Sequence, residues 1–299
     1  MLGDLVFGPW RVHVSDNGTL SARSYFESAF ADYQLYALII GSALWADYVD
    51  FIVDQTREPY PPKPLRVLDP FQVAQQEPGK RTRLIREQMQ RFLEIFLSRA
   101  VDNLQIYLVD VIREVLKKRP EVLSDHKMEL SVSEILAYAS LDSMLSAKVE
   151  TTVQTLAYAG FRKLRDWCTR RGIPLAVRDQ DVEDVVEFIA TRNVIAHNRG
   201  VVNDLYVSLV ANPAFAQGDV RHLEKEDLDK CRLLLARVVD ESDSAIAAKF
   251  SLNTAPIASR LVERATPLNP EEVKGTNECT ARVQAGDAPE PPICRAQNG

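Results

Sequence analysis

Cysteine is scarce and scattered in this 299-residue chain: Cys168, Cys231, Cys279 and Cys294 form no CxxC pair and have no histidine at metal-ligand spacing. That speaks against a zinc site and a disulfide framework, and fits reduced thiols in a cytoplasm. Glycine, at 12 residues, is too sparse for a collagen-like repeat. Positive charge is not in excess either. The 36 Lys and Arg stand against 42 Asp and Glu, for a net charge of −6 and a pI near 5.4. The surface as a whole is therefore no nucleic-acid footprint, which leaves room only for a local basic patch. Long uncharged apolar runs are missing as well. The most apolar window, Leu35 to Val53, contains Asp47 and Asp50, and its charge-free part falls short of the roughly 18 to 20 residues of a bilayer span. It reads as a buried helix of a soluble protein, with no membrane partner expected. The opening MLGDLVFGPW has no basic segment followed by an apolar one, so no secretory signal and a cytoplasmic location are expected.

What is present is ordinary globular material, 46% hydrophobic, 26% charged and 8% aromatic, enough for a sizeable core. From Met1 to Leu20, Leu5, Phe7, Val12 and Val14 among Gly8, Pro9 and Asp16-Asn17-Gly18 suggest a short hairpin, the only β structure expected. Ser21 to about Gln55 has helical spacing, ended by Glu58-Pro-Tyr-Pro-Pro-Lys-Pro64. Residues 1–56 thus read as an N-terminal extension and 57–79 as a Pro-containing linker. A main helical domain follows at 80–250.

The clearest helix runs from Met89 through Val115 for seven turns and stops at Lys117-Lys118-Arg119-Pro120, cations at the negative helix end before a breaker. Ser131 with Glu134 has the form of a capping box, opening a helix through Ile135, Leu136, Ala139 and Leu145. A break near Ser146 is expected, then a helix from Val149 to Trp167, closed by Gly172 and Pro174. Asp181 is placed to cap the next helix, with Val182, Val185, Val186 and Ile189 as its buried stripe. Residues 200–222 read as a loop, and Leu228 to Ile246 mark a last long helix. Residues 266–299 are polar and rich in Pro, Ala and Glu, the composition of a disordered tail. No solenoid period is visible, and the fold class is all-α.

The segment Asp181 to Gly200 breaks the routine. At 100° per residue from Val182, the buried direction lies near 350°; Asn193 falls at about 20° and Ala196 at about 320°, inside the stripe. Arg192 and His197 fall at its two edges, near 280° and 60°. Burying such groups without partners costs on the order of 1 to 3 kcal/mol each, so they need dedicated hydrogen bonds or a wet cleft. The same residues also suit a helix C-terminus, with Arg192 and His197 near the last carbonyls, Asn198 bonding the backbone and Gly200 as a left-handed cap.

Arg192-Asn193-Val194-Ile195-Ala196-His197 resembles the Arg, polar residue, His signature of the HEPN superfamily (higher eukaryote and prokaryote nucleotide-binding domains). The run on through Asn198-Arg199-Gly200-Val201-Val202-Asn203 and Tyr206 is similar to its RiboL-PSP branch, associated with ribonuclease toxins and phage defence. The resemblance covers about residues 80 to 250. It implies a helical bundle of HEPN type, a homodimer whose motif helices face each other, and metal-independent endoribonuclease activity on RNA with no cofactor. His197 would act as general acid or base on the 2′-hydroxyl, Arg192 against charge on the scissile phosphate, and Asn193 as an orienting group; Asn198 and Arg199 would contact substrate. An antitoxin or defence-system partner is implied too, yet members controlled by tyrosine modification carry Tyr two residues after the His, where this chain has Arg199. Two other readings stay open: a HEPN-like dimerisation or adaptor module without catalysis, and a nucleotide-binding regulator using Arg192 and Arg199 on a phosphate.

Between Lys80 and Arg119 ten Lys and Arg stand against five Asp and Glu, either an RNA-facing stripe or the solvated face of a long helix. Phe161, Trp167 and Cys168 fit core packing. His13, His126 and His222 have no convergent partners in sequence. Glu183, Asp184 and Glu187 suit the positive helix end, and could also pair with Arg192 or tune His197.

Overall fold

Thr19 opens the first helix, because its side chain accepts the Ala22 N–H and satisfies one of the donors left free at a helix start. In the computed structural model, which describes residues 14–57, 68–123 and 137–257, this helix α1 spans Leu20–Thr56. It buries Tyr25, Phe26, Tyr36, Ile40 and Leu44 on one side. The opposite side is open: Leu35, Leu38, Trp45 and Val49 are 50%, 63%, 60% and 53% exposed. The window expected as a buried helix is thus buried along one face only. By length and composition alone α1 is long and apolar enough to cross a membrane, a test that core helices of soluble proteins also pass, and 28% of its most apolar stretch is buried.

Inside the segment 57–79 a short helix α2 forms at Pro70–Gln76, started by Asp69 in a capping box with Gln72. Helix α3 (Lys80–Glu87) is held to α1 by Asp47, whose carboxylate accepts the Thr82 N–H at 2.7 Å, the Arg81 N–H at 3.3 Å and Arg81 Nη1 at 3.1 Å. Burial pushes this carboxyl up, but the hydrogen bonds from Thr82 and Arg81 outweigh it and hold the group below the usual carboxylate range. Gly79 permits the approach, since a Cβ there would lie 2.3 Å from Asp47 Cγ.

Helix α4 (Met89–Lys118) is the hub, touching α1, α3 and four further elements. Its seven-turn stripe, from Leu93 through Leu97, Val101, Leu104 and Leu108 to Val115, is buried as expected. A 3-10 turn at Pro120–Leu123 follows the predicted stop. The Ser131–Glu134 signal lies outside the described residues. Helix α5 (Leu141–Ala159) instead starts at Ser140, in a capping box with Ser143. It runs straight through Ser146; the break comes at Gly160, at φ +85°, before α6 (Phe161–Arg170). Glycine alone enters that conformation at low cost.

Helix α7 (Asp179–Asn198), short α8 (Asp204–Leu209) and α9 (Lys225–Phe250) complete nine α-helices among the described residues, so the chain is all-α. The expected loop at 200–222 therefore contains a helix and a bridge between Val201 and Val220. The strand at Asn17–Gly18 pairs antiparallel with Ala255–Pro256; the hairpin expected over Met1 to Leu20 falls mostly on residues 1–13, which, like the tail 266–299, lie outside the described residues. One core runs from Ala22 of α1 through α4, α5, α6, α7 and α9 to Ile257. Carboxylates pin the approach to α1: Asp240 accepts the Ser15 N–H, Asp243 the Thr19 N–H and hydroxyl, and Glu114 the Ser21 N–H and hydroxyl.

Candidate functional site

Helix α7 begins at Asp179, with Arg178 in the cap position making no side-chain cap bond, so Asp181 is not the cap. The acids of its first two turns reach across to neighbouring helices. Asp179 pairs with Arg165 at 2.6 Å, Glu183 with Arg162 at 2.6 Å, Asp181 with Arg237 at 2.8 Å and Asp184 with Lys230 at 2.7 Å. The Arg162 hydrogen bond holds Glu183 below its ordinary range. None of these acids pairs with Arg192 or His197, so they orient α7 between α6 and α9.

One turn later Glu187 accepts the Tyr206 hydroxyl at 3.2 Å and Arg221 Nη2 at 3.4 Å. Arg221 is only 5% exposed; it also pairs with Asp227 at 3.3 Å, donates to the His222 carbonyl at 2.5 Å and lies over the Phe215 ring. Gln90 of α4 ties this loop down, accepting the Leu223 N–H and donating to Glu94 and the Arg221 carbonyl. Burial raises the Tyr206 hydroxyl, consistent with its staying a donor to Glu187. Arg221 escaped the sequence reading because its partners, Glu187 and Asp227, lie on two different helices.

From Ala190 on, the buried side of α7 rotates. Ala190 and Val194 pack with Val202, Tyr206 and Val210 in a second, small core built by α8 and its loop. The direction of the Val182–Val186–Ile189 stripe then emerges at the surface. Asn193, expected inside the stripe, is half-buried, and Ala196 and His197 are exposed. Arg192 is fixed by α4: its Nε donates to Asp102 at 2.7 Å and its Nη1 to Asn193 Oδ1 at 3.2 Å. Its side chain is 26% exposed, and Nη2 carries no bond among the described residues. His197, in the last turn, has no hydrogen bond or ion pair among them either. The two are five positions apart, which on an α-helix is about 140° of rotation and roughly 7.5 Å of rise. They occupy opposite flanks of one emergent face.

The helix then closes on two left-handed residues, Arg199 at φ 53° and Gly200 at φ 78°, both donating their N–H to the Val194 carbonyl. Asn198 Nδ2 donates to the Val201 carbonyl at 2.5 Å, while Arg199 projects exposed. The structure thus brings Arg192 and Asn193 into contact, sets His197 and Arg199 outward, and turns the Asn198 amide nitrogen inward to the backbone. An apolar groove of about 370 Å³, lined by Ile106, Leu156, Phe161 and Leu164 with Tyr158 exposed at its rim, reaches Ile189, one turn before Arg192.

The basic segment 80–119 forms no bare stripe. Arg81, Arg83, Arg86, Arg99, Arg113, Lys117 and Arg119 are each bonded within the chain, chiefly to Asp47, Asp50, Asp32 and Glu150. Phe161 and Trp167 pack on the core, Trp167 under Arg171, and burial pushes the Cys168 thiol up to about 12. His13 and His126 lie outside the described residues, and His222 is on the surface. Among the described residues no group of three or more His, Cys, Asp or Glu is placed to hold a metal ion. No family model, curated protein or solved structure matches the chain.

Proposed function

We propose that the protein is an endoribonuclease of HEPN type, cleaving RNA without a metal at a site made by two copies of the chain. The observation that carries this is the end of α7: Arg192 is held through Nε by Asp102 with Nη2 left over, and His197 stands exposed on the other flank. A guanidinium oriented in this way offers its remaining donors to a phosphate and stays charged while doing so. Histidine is the side chain suited to taking and giving a proton near neutral pH.

The 140° between the two flanks argues for two copies, because one helix does not turn both groups onto one phosphate. With two α7 ends facing, His197 takes the 2′-hydroxyl proton, the 2′-oxygen attacks phosphorus, and the bond to the 5′-oxygen breaks. The leaving 5′-oxygen takes a proton from water, and the products are a 2′,3′-cyclic phosphate and a 5′-hydroxyl. Arg192 stabilises the charge that develops on the phosphate oxygens. Asn193 orients Arg192, and Arg199 adds a contact to the RNA backbone. A toxin or phage-defence setting in the cytoplasm, with an antitoxin or defence partner restraining the activity, goes with this reading.

A second reading has its own observation. The Arg192–Asp102 pair joins α7 to α4, so Arg192 is also a structural tie in a dimerisation or adaptor module. Incubation of wild type, Arg192→Ala and His197→Ala with structured and unstructured RNA in EDTA separates the two. Cleavage by wild type alone, leaving cyclic phosphate ends, supports the enzyme. Unchanged RNA with all three, together with lowered stability of Arg192→Ala, supports the adaptor.

A further inference from the structure

The open face of α1 is patterned. Leu35, Leu38, Ser42, Trp45, Val49 and Ile52 follow one another at steps of three and four residues, the spacing of a helix-pairing seam. Leu35, Leu38, Trp45 and Val49 are half or more exposed and Ser42 is exposed beside them. The flanking positions along the seam, Gln34, Ile39, Gly41, Ala46, Tyr48 and Val53, carry no charge. Since the other side of α1 is already occupied by the core, this helix is apolar on two opposite faces and only one is covered.

We infer that the α1 seam binds the same seam of a second copy, with the two helices antiparallel. The residue sizes carry the register. In an antiparallel pair Leu35 meets Ile52, Leu38 meets Val49, and Ser42 meets Trp45, so the smallest side chain of the seam lies opposite the largest. A parallel pair would set Trp45 against Trp45 and Ser42 against Ser42, a bulge beside a hole, which close packing disfavours. The uncharged flanks let the face meet its own copy without like-charge repulsion. The exposed seam amounts to on the order of 500 Å² per chain, and two of them reach the roughly 1,000 Å² that a specific interface needs. Charge argues against a bilayer as the occupant. Helix α1 carries one cation, Arg23, against Glu27, Asp32, Asp47, Asp50 and Asp54, whereas surface-bound helices present Lys and Arg to anionic headgroups. This pairing is independent of the reading of Arg192 and His197.

Sedimentation of the full chain tests it. Leu38→Glu, an exposed position, is expected to halve the mass of the wild-type assembly while the circular dichroism stays unchanged. For the register, Leu35→Cys and Ile52→Cys chains, each also carrying Cys279→Ser and Cys294→Ser, are mixed and oxidised. A disulfide between the two different chains is expected, and none within either alone, because like positions in the antiparallel pair are roughly 25 Å apart. Equal mass for wild type and Leu38→Glu overturns the proposal, whether the chain is monomeric or assembled elsewhere. Cross-linking of Leu35→Cys with itself overturns the antiparallel register. A monomeric wild type that floats with anionic vesicles assigns the face to a membrane instead.

Discussion

Arg199 holds a left-handed backbone conformation that costs a non-glycine residue about 1 kcal/mol or more. Its exposed side chain makes no ion pair among the described residues, so the strain has no visible return within one chain. Arg199→Gly is therefore expected to add about 1 kcal/mol of stability, seen as a higher melting temperature, while lowering RNA cleavage. Thermal unfolding beside a cleavage assay reads both; a fall in stability would show that Arg199 is structural. At Gly79 the constraint is the reverse. A Cβ there would displace the Asp47 carboxylate, and Gly79→Ala is expected to cost about 1 to 3 kcal/mol in urea unfolding. A neutral outcome would mean that Asp47 is not held at the start of α3.

Asp47 also makes the α1–α3 joint sensitive to acid. Its carboxyl is lowered in the folded chain by the Thr82 and Arg81 hydrogen bonds, despite burial. Stability from this group is thus fully present above the ordinary carboxylate range and lost as pH falls through its lowered value. Asp47→Asn should remove that part of the acid dependence, measured as unfolding midpoints from pH 7 down to 3. The α8 loop depends likewise on one buried cation. Arg221→Met leaves Glu187 and Asp227 without it and is expected to destabilise by about 1 to 3 kcal/mol, with faster amide exchange over residues 200–222. Protection equal to wild type would contradict the bracing role.

These elements show what the sequence could reveal. Helix α4 was legible because its apolar period runs unbroken for seven turns, and the motif end of α7 because polar residues interrupt a clean stripe. The α5–α6 junction was misplaced to Ser146, since a serine suits a helix surface as well as a break, while Gly160 is read as a break only once its φ is known. Helix α8 is too short to show a period, and Asp102 lies 90 residues from Arg192, so nothing local announces their pairing.

For the whole molecule, one core joins α1 to α9, and two surfaces stand out from it: the seam on α1 and the emergent end of α7. The seam is set by residue size and spacing, and the α7 end by the rotation that separates Arg192 from His197. On the proposed readings both surfaces meet a second copy of the chain. The most direct test of the composite site is complementation. Arg192→Ala and His197→Ala chains, each inactive alone in EDTA, are co-refolded and assayed for RNA cleavage. The account predicts that the mixture regains roughly a quarter of wild-type activity, because half the pairs are mixed and each holds one intact site. A mixture that forms mixed pairs and stays inactive, beside an active wild type, would contradict a site shared between copies.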